Sequence, residues 1–225
     1  MTFRILIMAK APIPGTVKTR LMLLPKDAAG LQTALISDAV EKARTLARTT
    51  VAGAPPDRLD LIRPLLPGDV SLIAQVPGGL GDRMLAGVRT LFAASSTPIL
   101  ILGTDAPTLP TEAITEAATA LESRDITIIP SIDGGYVLLG LRRPVGVVFR
   151  GVDWSTEAVF GQTLQRAGEA GLTVYAGDPW YDVDEPGDLA RLRAELGAHP
   201  ERAPRTAALL GRLDECCAFV MPTVP

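Results

Sequence analysis

One histidine, two cysteines and an aromatic content of 4 % leave this 225-residue chain short of several kinds of chemistry. The histidine, His199, lies in a polar stretch beside Pro200 and Pro204 and reads as a solvated loop residue. A serine–histidine–aspartate relay needs its base oriented inside a site, and no second histidine exists to supply one. Cys216 and Cys217 are adjacent, a spacing that serves neither a disulfide framework nor a zinc site, so free thiols in a reducing cytoplasm are expected. Few aromatics mean few platforms for stacking single-stranded nucleic acid. Basic excess is missing as well: a formal charge of −3 argues against a nucleic-acid binder, and any anionic ligand must be met by local charge. No apolar run approaches a membrane span, and the one ending at Met8 is too short for a secretory signal. A cytoplasmic protein acting on small molecules is the expectation.

What is present is an alternation of short apolar runs with helical spacing. Phe3 to Met8 reads as a first strand, and Leu31, Leu35, Ala39, Ala43 and Leu46 then recur at helical intervals over 27–48, with Asp27 as N-cap. Asp38, inside that helix, is taken as structural. Thr49 to Pro67 is proline-rich and yields only a weak strand near Thr50 to Ala52. Ile99 to Leu102 and Ile126 to Ile129 are further strands, with a helix capped by Thr111 between them. Val137 to Leu141 and Leu172 to Ala176 follow, separated by a helix that Ser155 would cap. Pro186 suits the first turn of another helix, and Ala203 to Leu213 forms a last one. The pattern predicts an α/β fold with a mostly parallel central sheet flanked by helices.

Candidate site residues fall where predicted strands end. Lys18 and Arg20 sit on a loop shaped by Pro12, Pro14 and Gly15, a setting suited to phosphates or simply to a solvated basic surface. The loop is not a Walker A motif, because no glycine directly precedes Lys18. Gly78, Gly79 and Gly81 lead into a helix, but Met84 stands where a dinucleotide fingerprint needs a small residue, so they form either a ligand-approach loop or a flexible turn. Asp105 ends the Ile99 strand, and Pro107 and Pro110 keep its loop from closing into a helix. Such a carboxylate binds a hard cation carried in by phosphates, or only its own turn. Asp133 lies on a tight Asp-Gly-Gly turn. Asp182 and Asp184 alternate along an extended segment, so only one of them is expected to face Asp105.

Six pieces in one order carry a resemblance. They are residues 9–21 (AKAPIPGTVKTRL), Gln75 with Gly79-Leu-Gly-Asp-Arg-Met84, Gly103-Thr-Asp-Ala-Pro107, Asp133-Gly-Gly-Tyr136, Trp154-Ser-Thr156 and Asp182-Val-Asp184. Together they resemble the radical-SAM/selenodomain-associated transferase 1 family, a branch of the GT-A nucleotide-diphospho-sugar transferase superfamily. The Lys-Thr-Arg-Leu and Asp-Val-Asp elements are also similar to those of molybdenum-cofactor and phospholactate guanylyltransferases. The resemblance implies a three-layer, Rossmann-like GT-A domain over 1–196, with 197–225 a C-terminal helix and tail on or beside it. By the same resemblance, Ala9, Lys10, Gly15 and Lys18 would hold a nucleotide's phosphates, Gln75, Gly79 and Gly81 would border its base, and Asp105 and Asp184 would share Mg2+ or Mn2+. The expected reaction is nucleotidyl transfer from an NTP to a phosphorylated acceptor, with Lys18 and Arg20 taking the pyrophosphate. The alternatives are glycosyl transfer from a nucleotide-sugar, with Asp133 as base, and a non-catalytic nucleotide-binding module. A homo-oligomer is compatible with either enzyme.

Overall fold

Ile5, Leu6 and Ile7 are fully buried, so the first strand is covered on both faces, as an unbroken apolar run requires. The computed structural model describes residues 2–218, apart from the side chains of 215–218. The thiols of Cys216 and Cys217 therefore lie outside the described set. Seven strands form one sheet: β1 (Arg4–Lys10), β2 (Arg48–Ala54), β3 (Ser71–Ala74), β4 (Ile99–Leu102), β5 (Ile126–Pro130), β6 (Tyr136–Leu141) and β7 (Val174–Ala176). Their order is β3-β2-β1-β4-β6-β5-β7. Only β6 runs against its neighbours, pairing antiparallel with β4 and β5, while every other pairing is parallel.

The helices are α1 (Pro25–Leu46), α2 (Leu80–Ala94), α3 (Thr111–Ala120), α4 (Val159–Glu169), α5 (Pro186–Ala198) and α6 (Pro204–Ala218). On one face of the sheet, Ile36 and Val40 of α1 and Ile114 of α3 pack against Ile5, Ile7 and Leu100. On the other, Met84 and Val88 of α2 and Ala167 of α4 meet Leu6, Ile101 and Leu139. This is the mostly parallel sheet flanked by helices expected from the alternation, in the three layers that the resemblance implies. A third cluster lies outside it, where Leu31 and Leu35 of α1 meet Leu189 and Leu192 of α5 and Leu210 of α6. Asp38 explains how α6 is held there. Its buried carboxylate accepts hydrogen bonds from the Arg205 and Thr206 amides, at 3.1 and 2.8 Å, and from the Thr206 hydroxyl at 2.8 Å. A helix start is thus capped by a side chain of another helix. Among the described residues, no helix is long and apolar enough to cross a membrane.

Several local expectations change. The proline-rich stretch hides a full strand: β2 pairs with β1 from Arg48 to Ala54, and the prolines act afterwards, in short 3-10 turns over Pro56–Leu61 and Arg63–Leu65. β3 has no counterpart in the sequence reading, because four half-exposed residues at a sheet edge carry little periodicity. Asp27 is inside the first turn of α1 rather than its cap, since Pro25 already opens the helix. Thr111 likewise follows its cap, Pro110. Ser155 adopts a positive φ of 67° in a turn, and α4 starts only at Val159.

Candidate functional site

Where β1 and β4 run side by side, the strand order reverses, and open α/β sheets bind ligands at the carboxyl ends beside such a reversal. A cavity of about 390 Å³ opens there. The loop leaving β1 supplies Lys18, the loop leaving β4 supplies Asp105, and the segment between β7 and α5 supplies Asp184. Lys18 adopts a left-handed backbone, φ 51° and ψ 34°, uncommon for a residue with a side chain. Its side chain is only 5 % exposed. The ammonium lies 2.7 Å from Asp105 Oδ1 and 3.3 Å from Asp184 Oδ1, and it donates to the Val183 carbonyl at 2.7 Å. Arg20 pairs with the second oxygen of Asp184.

The backbone fixes this convergence. The Val183 amide donates to the Asp105 carbonyl at 2.8 Å, so the two acidic segments are stitched together. The Thr104 hydroxyl donates to Asp105 Oδ1 at 3.1 Å. Asp188, in the first turn of α5, accepts from the amides of Asp184 and Glu185 at 3.1 and 2.8 Å. Asp184 is therefore fixed by a helix start that reaches back to it. Two carboxylates and a carbonyl around one cationic nitrogen form a set of hard oxygen donors, which suits a divalent cation whose remaining ligands come from phosphates. Among the described residues, no group of three or more His, Cys, Asp or Glu side chains is disposed to hold a metal, so the protein alone would not enclose it.

Ala9, Lys10, Arg20 and Gln75 also line the cavity. Gln75 is buried, and its amide nitrogen is occupied by the carbonyls of Ala9 and Ala52, at 3.2 and 2.7 Å. It braces the end of β1 and leaves only its oxygen for a ligand. Gly15, Gly79, Gly81 and Asp133 are not among the lining residues. At Gly81 a Cβ would lie 2.5 Å from Trp154 Nε1 and 2.8 Å from the Phe149 carbonyl, so close packing accounts for the glycine there. The Asp133 carboxylate accepts from the Gly135 amide at 3.0 Å, across its own turn. Gly134 in that turn has φ 93°, and a Cβ would sit 2.2 Å from the Glu157 carbonyl.

Arg83 and Tyr136, which the sequence does not assign to the site, also reach the cavity, as does Asp182, which it weighs against Asp184. Arg83, from the first turn of α2, lines it. Asp182 lines it together with Asp184: Asp184 faces Lys18, whereas Asp182 accepts from the Ser131 hydroxyl at 2.7 Å. Burial pushes the Asp182 carboxyl above the usual carboxylate range, Asp133 and Asp184 add to this, and the Ser131 hydrogen bond opposes it. Tyr136 contributes a ring packed edge-on against Trp154, with centroids 6.3 Å apart, and burial raises its phenol. All three lie inside quoted motifs, which was the available signal. Gln32 had none: from mid-α1, its amide donates to the Lys10 carbonyl and the Thr104 hydroxyl at 3.4 and 3.3 Å.

A family model described as "Uncharacterized protein conserved in bacteria (DUF2064)" matches residues 36–156, more than half of the chain. The chain belongs to DUF2064. That match takes in Gln75, Arg83, Asp105 and Tyr136, while the Lys18 loop and Asp184 lie outside it. Among solved structures, this DUF2064 chain is similar to a candidate nucleotide-diphospho-sugar transferase of Desulfovibrio desulfuricans G20. The two are 30 % identical with a TM-score of 0.87, over 96 % of each chain. A CMP:2-keto-3-deoxy-manno-octonic acid synthetase complexed with CTP shares the fold at 13 % identity and TM-score 0.57, over 88 % of this chain and all of that one. A 4-diphosphocytidyl-2C-methyl-D-erythritol synthase from Anaerococcus prevotii DSM 20548 does so at 12 % identity and TM-score 0.60, over 87 % and 96 %. No curated protein sequence matches the chain.

Proposed function

We propose that this DUF2064 protein is a nucleotide-dependent transferase and that its reaction is nucleotidyl transfer. A phosphate oxygen of a small acceptor attacks the α-phosphorus of an NTP, a new P–O bond forms, and the bond to the bridging oxygen breaks as pyrophosphate leaves. The observation that carries this reading is the meeting of Asp105 and Asp184 on one cationic nitrogen, at the strand-order reversal of a sheet shared with a synthetase complexed with CTP. In-line transfer between phosphates needs charge neutralisation and positioning rather than a protein nucleophile. That suits a cavity without histidine or cysteine.

Asp105 and Asp184 would hold a divalent cation, Mg2+ or Mn2+, which when bound neutralises α-phosphoryl charge. Lys18 keeps the two carboxylates together across the gap between their loops. Lys10 and Arg83 complete the cationic lining, and among the described residues neither is paired with a carboxylate, so both are free to meet the β- and γ-phosphates. Four cations against the three acids Asp105, Asp182 and Asp184 make the cavity locally positive in a chain of net charge −3. The order of motifs supports a radical-SAM/selenodomain-associated transferase with kinship to guanylyltransferases.

A second reading, glycosyl transfer from a nucleotide-sugar, is favoured by the 30 % identical Desulfovibrio neighbour. It needs a base for an acceptor hydroxyl, a role first considered for Asp133, whose carboxylate bonds within its own turn. The test is pyrophosphate release with each NTP and Mg2+ over a pool of phosphorylated acceptors, wild type against Asp105→Ala. Release that depends on one NTP and on Asp105 supports nucleotidyl transfer. Silence there, with nucleoside diphosphate freed from a nucleotide-sugar, moves the assignment to glycosyl transfer. Stoichiometric binding without turnover leaves a nucleotide-binding module.

A further inference from the structure

Lys42 lies on the inner side of α1, away from the cavity, and its side chain runs beneath the loop that carries Asp105. The ammonium donates to the carbonyls of Pro107 and Leu109, at 2.6 and 2.7 Å. Ile7, Ala39, Leu102 and Ile114 surround a void of about 20 Å³ beside it, and the charges of Asp38, Glu195, Glu112 and Arg202 also act on it. Burying an ammonium against carbonyls and aliphatic groups disfavours its charged form, and burial pulls its pKa down to about 8. A leucine or methionine would fill such a place at lower cost, so the loop has to supply the reason for a cation.

The loop is short of donors. Pro107 and Pro110 have no N–H, and the turn closes only one backbone bond of its own, from the Leu109 amide to the Ala106 carbonyl at 3.1 Å. Its outer side is tied to the Asp184 segment, through Val183 to the Asp105 carbonyl and through the Thr108 hydroxyl to Tyr181 at 3.1 Å. Residues 107–109 are buried, and an unpaired carbonyl among them is costly. Lys42 meets two of them at once, immediately downstream of Asp105.

We infer that Lys42 is a positioning residue, a partly buried ammonium on α1 that fixes the carbonyls of Pro107 and Leu109 and thereby holds Asp105 in register with Asp184. This rests on the reading of Asp105 as part of the catalytic apparatus. The role is separable from substrate contact, because Lys42 touches the loop and does not line the cavity.

The experiment compares wild type with Lys42→Met and Lys42→Gln in two ways. Hydrogen exchange of the Asp105, Ala106, Thr108 and Leu109 amides, without nucleotide, reads the loop directly. Turnover of the full-length protein is then measured against Mg2+ and NTP concentration. The expected result is exchange at least about 10-fold faster in the loop, with protection retained in β1 and β4. With it, kcat falls about 10-fold or more, half-activation moves to higher Mg2+, and KM for the NTP stays within about 3-fold. Unchanged loop exchange in a folded variant overturns the inference. So does faster exchange with unaltered kcat and Mg2+ dependence, and so does global unfolding of both variants, which would make Lys42 a general structural requirement. If wild type turns over no nucleotide, the functional reading fails on its own, while the exchange comparison still decides whether Lys42 holds the loop.

Discussion

Replacing Asp38 with alanine is expected to cost about 3 kcal/mol of stability, because one buried carboxylate serves as the cap of a helix that is not its own. Its side chain is 1 % exposed and accepts the Arg205 amide, the Thr206 amide and the Thr206 hydroxyl, with the Arg205 guanidinium 3.7 Å away. Losing a helix cap typically costs about 1 kcal/mol. Thr206 is fully buried, so its hydroxyl and amide would be left without an acceptor, adding about 1–3 kcal/mol. In a chain of this size the sum corresponds to a melting temperature lower by roughly 6–12 °C. Urea unfolding and a thermal scan at pH 7 measure it, and limited proteolysis reports whether residues 204–214 detach first. Asp38→Asn, which keeps one acceptor oxygen, should lose about half as much. A loss below about 1 kcal/mol for Asp38→Ala would refute the claim that this carboxylate docks α6 on α1.

Lys18→Ala removes the charge that Asp105 and Asp184 share, and turnover is expected to fall roughly 100-fold or more, in steady-state assays with saturating NTP; unchanged turnover would remove Lys18 from the catalytic apparatus. Gly81→Ala would put a Cβ 2.5 Å from Trp154, so a destabilisation of about 1–3 kcal/mol is expected by urea denaturation, and a neutral result would contradict the packing at the start of α2. Stability should also depend on Lys42, whose pKa is near 8 in the folded protein against an ordinary value of 10.5. Between those values the unfolded chain binds the proton and the folded one releases it, so stability rises with pH across that window. The rise is at most about 3 kcal/mol, at about 1.4 kcal/mol per pH unit. Lys42→Met should lack it in unfolding curves taken at pH 8 and pH 10. Asp38, Glu195 and Glu112 nearby hold the pKa up, and Arg202 pulls it down, so these four stay unaltered in the comparison.

The sheet was legible because its strands are apolar runs whose two faces are both covered, as at Ile5 to Ile7 and Ile99 to Leu100. β3 escaped because Ser71–Ala74 is a short edge strand whose hydrogen bonds with β2, and not its composition, make it a strand. Helix starts were misjudged for a related reason. Asp27 and Thr111 have the chemistry of caps, but prolines set the backbone one or two residues earlier. In the candidate site, charged residues placed at strand ends were readable one by one. Their partners were not, since nothing near Gln75 in sequence says that its amide is spent on Ala9 and Ala52.

Asp105 and Asp184 are brought together by a backbone bond that has no signature and by Lys18, whose motif does not announce that it bridges them. The Val183 amide meets the Asp105 carbonyl because an extended segment runs beside the end of β4, a matter of tertiary position. Lys18 reaches both carboxylates from a left-handed backbone that ordinary residues avoid, and such a conformation persists only where the surroundings over-determine it. Here they do: Val17 and Leu21 on either side are buried, and the ammonium is held at three oxygens. Strain at Lys18, the donor-poor Asp105 loop and the partly buried cation of Lys42 then have one physical cause. A site made of like charges on separate loops can stay open to a ligand only if the scaffold, rather than the ligand, holds those charges in place.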